Sequence, residues 1–491
     1  MIRSLYTLGV LALVTFMPAI AAEPALVDPV ALRLEATGLS IDTIGGLPRF
    51  FSDDVRLQWI VPGDEAATRR LRDLEYTIVD EDIGAGIRRT LTSVELIGGR
   101  RLTHHYFLVR SGSVLDGYAI RMDLDLVAGA AVELAGGPGF IPQPLPGFGA
   151  AYGKVSSVAV DAEGQRRLDA GDDDRSEQHL EQGDWFGIRN RFWTALVRSE
   201  AAPLIVQLKQ QAENLPRLVG LPLGNASRLI LEFYAGPVES RLLAAADPKL
   251  TGMLFSILWN PLRVLCFGML WLLTILYGLV GNIGFAIILL SLCVKVLMSP
   301  LTLIADRLQG SVNQTMAALQ PEIDMIKKAY KGEEAHQRIL EVYKTQKVHP
   351  MYPIKSLIGF LIQIPVFIAA FDMLGENFAL NGASFLWAAD LARPDHWMVL
   401  PWAMPFFGGY LNLLPCLMTA VTILTSWMQI DSSLTPGLMR KQRGRLFLMA
   451  GAFFLLFYTF PAGMVLYWTT NNVLHLLKIV PGQMWVRDPQ Q

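Results

Sequence analysis

NIGFAIILLSLCVKVLMSPLT, residues 282–302, decides what kind of fold this chain can have. About 20 nearly unbroken apolar residues are enough to cross a bilayer as a helix. Lys295 lies inside the stretch. A cation at the centre of a membrane span costs roughly 2.5–3.5 kcal/mol on insertion scales, so such residues face protein or water and mark working sites. Ser291 and Ser299 stand four residues to either side of Lys295 and share its helix face. The competing reading is a lysine that snorkels to a nearby interface, with Pro300 five residues on.

Beyond this helix the apolar runs continue at 354–375, 397–428, 445–460 and 461–480. The run 397–428 is long enough to be bent or broken, and it contains Pro401, Pro405, Gly408, Gly409 and Pro415. Before residue 282, the stretch 251–280 is apolar but interrupted by Asn260, Pro261 and Arg263. It either crosses the membrane or lies along its surface with Trp259 and Trp271 as anchors. Residues 304–350 are polar and helical in pattern. Met316, Leu319, Ile323 and Ile326 form a seam, and a turn falls at Lys331-Gly332-Glu333. The returning face is either Ile339, Val342 and Gln346 or Leu340, Tyr343 and Lys347.

This expected hairpin carries Arg307, Lys327, Lys328, Lys331, Arg338, Lys344 and Lys347, with Lys355 just beyond. The connection before the last two runs holds Arg440, Lys441, Arg443 and Arg445, whereas 376–395 has Arg393 as its one cation among several acids. The positive-inside rule puts the first two connections and the C-terminus in the cytosol and the third outside. At 1.5 Å per residue, Lys295, Gln363 and Asn471 then fall at similar depth. Ser291, Lys295, Gln363, Thr470 and Asn471 are the candidates for one hydrated pocket, and Tyr467 shares a face with the last two. For Gln363 and Asn471 the plainer role is interhelical hydrogen bonding. Asp372 lies nearer the outer end and reads as interfacial.

The first half differs. Overall the chain is 52% hydrophobic with net charge −2 over 491 residues, and mean hydropathy is +0.35. The apolar excess is concentrated after residue 251. Nothing in the charge points to nucleic acid. Residues 1–22 have Arg3, a short apolar core and Ala19-Ile20-Ala21, the order of a cleavable signal, although an uncleaved anchor fits as well. Residues 23–250 read as an exported β-sandwich. Segments 88–96 and 101–109 are joined by Gly98-Gly99, and Tyr118, Ile120, Met122, Leu124 and Leu126 alternate along a third strand. Residues 136–149 form a Gly/Pro-rich loop, and Asp172-Asp173-Asp174 sits in a solvated one. His104 and His105 are adjacent and point to opposite faces, a poor metal geometry. The three cysteines, Cys266, Cys293 and Cys416, all lie in apolar runs. No enzyme motif stands out, and neither metal nor cofactor is expected.

At these residues the chain resembles the YidC family of membrane-protein insertases in its Gram-negative form. The resemblance rests on GNIGFAIILLSLCVKVLMSPLT, LQPEI, LIQIPVF and FPAGMVLYWTTNN in the second half. In the first it rests on IDTIGG, GDWFGIRNRFWTALV and FYAGPVESRLL. It implies a membrane protein with an α-helical five-span insertase core, a cytosolic helical hairpin and an N-terminal all-β, supersandwich-like periplasmic domain. It also implies a hydrophilic groove, open to cytosol and lipid, at Ser291, Lys295, Gln363, Tyr467 and Trp468. Residues 251–280 would be the interfacial amphipathic helix. Nascent membrane proteins, the Sec translocon, the ribosome, signal-recognition machinery and membrane lipids would be partners, with Lys327, Lys328 and Lys331 on the contacting hairpin. Three departures stand out. The groove cation is Lys where relatives usually have Arg, Trp468 replaces an aromatic hydroxyl, and extra residues occur around 405–414. Rival functions are a small-solute or proton-coupled transporter using Lys295, a tethered periplasmic sugar-processing enzyme, and a folding chaperone beside Sec.

Overall fold

The computed structural model describes residues 47, 49–50, 55–84, 86–109, 113–115, 117–168, 176–210, 216–222, 226–346, 348, 358–428 and 436–486. The expected leader at 1–22, the IDTIGG segment, Asp172-Asp173-Asp174, Lys347 and Lys355 lie outside them.

The first half is two antiparallel sheets face to face. One runs, in spatial order, Arg49–Phe50, Val55–Ile60, Ala131–Gly136, Pro216–Pro222, Leu204–Gln210 and Ser176–Leu180. The other runs Tyr76–Asp82, Gly86–Ser93, Thr103–Val109, Ala119–Asp125, Arg228–Pro237, Trp193–Ser199, Trp185–Arg189, Ser156–Val160 and Gln165–Leu168. The expected alternation holds in the fourth strand of the larger sheet. Ile120, Met122, Leu124 and Leu126 are all buried, packed with Leu57, Trp59 and Leu134 of the facing sheet. Gly98 and Gly99 both take positive φ, 59° and 82°, in the expected turn. His104 is fully buried: its Nδ1 accepts from Asp125 N–H at 3.2 Å and its Nε2 faces Tyr76 Oη at 3.1 Å. The ring is therefore the neutral Nε2–H tautomer, and burial pulls its pKa down to about 4.

The outer face of the larger sheet continues into the helical half. Val158, Val160, Trp185, Leu196 and Tyr234 share one apolar core with Leu243, Met253, Leu290, Met373 and Val465. Among the described residues a short helix, Ser240–Ala246, leads to seven longer ones: α1 (Asn260–Val280), α2 (Ile283–Ala329), α3 (Gly332–Thr345), α4 (Ile358–Glu376), α5 (Leu413–Met428), α6 (Pro436–Phe457) and α7 (Ala462–Val486). By length and hydropathy α1 and α2 are sufficient to cross a membrane, with mean hydropathies of 1.9 and 2.3.

Gly281, at φ 66°, ends α1 in the left-handed conformation. The Asn282 side chain then caps α2 by accepting from Gly284 N–H at 2.9 Å and Phe285 N–H at 3.2 Å. α1 begins near the β domain, just after Met253 and Leu254, which share an apolar core with Val158 and Trp185. Its start is tied through Arg263 to Gly252 O and Leu254 O, and its end feeds the first residue of α2. α2 does not stop at residue 303. It runs 47 residues without a break, through Pro300 and Pro321, so the first arm of the hairpin is the continuation of the span. α3 returns along it, with Leu319, Ile323 and Val342 buried and Ile326, Ile339 and Tyr343 around them.

The expected span 397–428 is corrected. Met398–Met404 and Gly408–Leu411 form a two-stranded antiparallel hairpin, and the helix begins only at Leu413. The prolines and the glycine pair end the helix outright instead of bending it. α6 also starts earlier than expected, at Pro436.

Candidate polar groove between the helices

α2 and α7 both run away from the β domain. At the near end Gly284 packs directly under the Phe385 ring, where a β-carbon would come within 2.2 Å of it. Ala462 N–H and Gly463 N–H donate to Arg393 O and Leu391 O in the same loop. Two parallel helices repeat their contacts every turn, and the contacts here are polar. Ser291 Oγ donates to Tyr467 O at 3.2 Å. One turn on, Lys295 Nζ donates to Asn471 O at 3.0 Å and Asn471 Oδ1 at 3.1 Å. Farther on, Lys478 Nζ meets Asp306 Oδ2 at 3.0 Å, with both groups at least half exposed. Ser291 is buried and Lys295 half-buried, while Ser299 is exposed.

An ammonium has three donors. Asn471 engages two directions of approach, and among the described residues no carboxylate lies within ion-pair distance of Lys295. The site is an interhelical cation held at one side, with no carboxylate paired to it among the described residues.

The other expected members are placed as follows. Phe367 of α4 stacks edge-on against Trp468 at 4.8 Å. α4 runs opposite to α7, so Gln363, one turn from Phe367, stands about 6 Å farther from the β domain, level with Asn471 and Asn472. Gln363 is exposed, and no hydrogen bond joins it to Lys295 or Asn471. Tyr467 is buried and contributes its backbone carbonyl. Trp468 packs among Phe367, Phe453 and Phe457, at 5.8 Å from each of the last two. It walls α4 and α6 instead of facing Lys295. Thr470 Oγ1 donates to Leu466 O within its own helix at 2.8 Å. Lys327, Lys328 and Lys331 are exposed at the far end of α2, about 50 Å along the helix from Lys295.

A polar row on α5 was not anticipated. Thr419, Thr422, Thr425 and Ser426 each donate to the carbonyl four residues back, and Thr425 and Ser426 are buried. Asn472 Nδ2 reaches across from α7 to Thr422 Oγ1 at 2.9 Å. The signal lies in TAVTILTS, hydroxyls at three- and four-residue spacing inside a run that is otherwise apolar. Among the described residues no three His, Cys, Asp or Glu side chains converge on a metal position.

Residues 275–486, from the end of α1 through α7, match the family model described as 60Kd inner membrane protein. The "Membrane protein insertase YidC" of Laribacter hongkongensis is 32% identical over 275 residues, 55% of this chain and 44% of the relative. The protein of the same name from Ralstonia nicotianae is 28% identical over 425 residues, 82% of this chain and 69% of the relative. These matches support a YidC family assignment, carried mainly by the helical half of the chain. The matched segment spans less than half of the Laribacter protein's length. A crystal structure described as an active YidC insertase with the first transmembrane domain resolved shares 18% identity at TM-score 0.36, over 89% of this chain and 88% of its own.

Proposed function

We propose that this YidC-family protein inserts and folds integral membrane proteins, and that Lys295 and Asn471 form the polar station at which a client's hydrophilic flank pauses while crossing. The observation that supports this reading is that Lys295 is anchored by Asn471 and has no carboxylate partner among the described residues. Carrying an acidic side chain through the bilayer centre costs about 2.5–3.5 kcal/mol on insertion scales. Two opposite charges 4 Å apart at an effective dielectric near 20 attract by roughly 4 kcal/mol. The two are comparable, so one fixed cation is enough to offset one client acid. No bond is made or broken and no cofactor is needed.

The orientation follows from charge. The β domain sits at the end of the bundle opposite the cationic α2–α3 hairpin and the Arg440–Arg445 cluster, which supports a periplasmic β domain and a cytosolic hairpin and C-terminus. α1 starts beside the β domain and, as the interfacial helix of this reading, would lie along the outer membrane face with Trp259 and Trp271 exposed. Lys327, Lys328 and Lys331 at the hairpin tip suit an anionic cytosolic partner such as a ribosome or signal-recognition complex. Handover from the Sec translocon is the corresponding membrane-side partnership.

Photoreactive residues placed at 363 and 471 test this reading while a two-span client with an acidic exported loop is being translated. Crosslinks from both positions to the client's loop are expected. Crosslinks only from lipid-facing positions such as 448 would remove the groove from the pathway.

A further inference from the structure

The Met398–Leu411 hairpin is apolar on both faces, and most of its length is exposed. Val399 and Trp402 are 70% and 69% exposed, and Trp397, Met398, Phe406 and Tyr410 are exposed with them. From Trp397 to Ile430 the sequence has no Asp, Glu, Lys, Arg or His. An isolated two-stranded hairpin is marginal in water, and this one presents its apolar side chains outward.

Its root is nonetheless firmly held. Asn412 is buried and donates through Nδ2 to Tyr458 O at 2.7 Å, while its Oδ1 accepts from His396 N–H at 3.1 Å. Tyr458 Oη donates to Tyr410 O at 3.0 Å, and Asp395 Oδ2 caps α5 by accepting from Leu413 N–H at 2.8 Å and Leu414 N–H at 3.0 Å. The tip is held too. Phe406 sits at φ 71°, a conformation costly for a bulky L-residue, and its ring meets Phe148 of the β domain edge-on at 5.0 Å. In the neighbouring loop Leu386 repeats the combination of positive φ, 53°, and high exposure. A turn needing only positive φ would take Gly or Asn. Two bulky apolar side chains held outward in this conformation are there for what they touch.

The geometry points to the outer leaflet of the bilayer as that partner: the hairpin is an interfacial anchor that inserts its aromatic blade among lipid headgroups and upper acyl chains, and pins the β domain through Phe148. Three observations favour lipid. Arg443 Nη2 donates to Trp427 O at 3.2 Å, which fixes the cytosolic level of α5 among the cations of α6. From Trp427 back to Leu413 the helix rises about 21 Å, short of the roughly 30 Å hydrocarbon thickness, so the remaining outer part falls to the hairpin. The exposed apolar side chains of α5 and α6, such as Leu417, Ile423 and Leu455, continue into the blade without a polar break. Finally, the hairpin's unpaired strand edges need water for their backbone groups while its side chains need apolar surroundings, and both exist together only at the interface.

This inference needs the helices to cross a bilayer but does not depend on Lys295. The test uses full-length protein in proteoliposomes, with Cys266, Cys293 and Cys416 changed to serine and a single new cysteine carrying an environment-sensitive fluorophore. Val399→Cys and Trp402→Cys report the blade, Val79→Cys the aqueous face of the β domain, and Leu448→Cys the lipid face of α6. Nitroxide-labelled lipids with shallow or deep labels act as quenchers. Expected at 399 and 402 are blue-shifted emission relative to 79 and stronger quenching by shallow than by deep labels. At 448 the deep label should dominate. Water-like, unquenched emission at both blade positions would overturn the proposal. So would blue-shifted emission that no lipid label quenches, since that would mean a protein covers the blade. The two blade positions are independent, so a folding failure of one variant leaves the other to decide.

Discussion

Arg191, where the β-sandwich meets the helices, and Lys295, among the helices, are both cations removed from bulk water, and they are held in opposite ways. Arg191 Nε donates to Gly375 O at 2.6 Å and its Nη1 to Ala392 O at 2.7 Å, with the guanidinium stacked 4.4 Å from the rings of both Tyr152 and Phe192. Beside it Arg189 pairs with Glu376 at 3.1 Å. Burial pulls Arg191 down only to about 10, so it stays charged at neutral pH. Lys295 has a single neighbouring residue, Asn471, for hydrogen bonding. The rigid planar fork locks two bodies together, while the ammonium on a flexible stem keeps capacity in reserve. Arg191 is walled in by two rings and two carbonyls, although its Nη2 has no hydrogen-bond partner, and reads as structural, whereas Lys295, anchored from a single side, is available to something that arrives.

The widest separation between the two regions should appear when each cation is replaced by methionine. Arg191→Met leaves the buried Gly375 and Ala392 carbonyls without their donors, so a loss of about 4 kcal/mol is expected. Thermal unfolding of the solubilised protein, with proteolysis of the 247–260 connection, reads it. Lys295→Met should change stability by less than about 1 kcal/mol, because it removes a charge from a costly place. Comparable destabilisation by both would break the contrast.

Acid should act on the closed region next. His104 has a folded pKa near 4, below its ordinary value of 6.5. Above about 6.5 neither state is protonated and the group contributes nothing pH-dependent. As pH falls from about 6.5 to about 4, the unfolded chain takes up the proton and the folded chain does not, so stability is lost. Over that window the loss amounts to roughly 3 kcal/mol and then levels off. Denaturant titrations of wild type and His104→Gln at several pH values isolate it, since the variant lacks this slope. Parallel slopes would show that His104 is not buried as described.

The smallest effect concerns the α5–α7 contact. A double-mutant cycle between Asn472→Ala and Thr422→Val should give a coupling of about 0.6 kcal/mol, as interhelical hydrogen bonds in membranes do. A coupling near zero would mean that the two helices are held by packing alone.

How far the sequence revealed these regions depended on the local pattern. Lys295 stood out because a lone charge in an apolar run has few meanings. Asn471 was visible as a polar residue at matching depth, but its contact with Lys295 joins residues 176 apart in sequence, and no local pattern carries that. In the β domain, strands with one wet face were recognisable, whereas Ala131–Gly136 and Trp185–Arg189 are buried at every position and lose the period-two signature. The Met398–Leu411 hairpin was mistaken for part of a span for a related reason. It is apolar on both faces, so only Pro401, Pro405 and the glycine pair distinguished it from helix. The row of hydroxyls on α5 was overlooked because threonine and serine satisfy themselves on their own helix and leave the overall hydropathy of the run high.

The central claim is that a half-anchored cation lowers the barrier for a client's acidic segment. Purified protein in proteoliposomes without Sec, given a short two-span client with an acidic exported loop and scored by protease protection, tests it most directly. The account predicts protection with wild type and Lys295→Arg, and about tenfold slower insertion with Lys295→Ala, equivalent to roughly 1.4 kcal/mol. It also predicts that the deficit shrinks when the client's loop acids are made neutral. Equal rates for wild type and Lys295→Ala with the acidic client would contradict it.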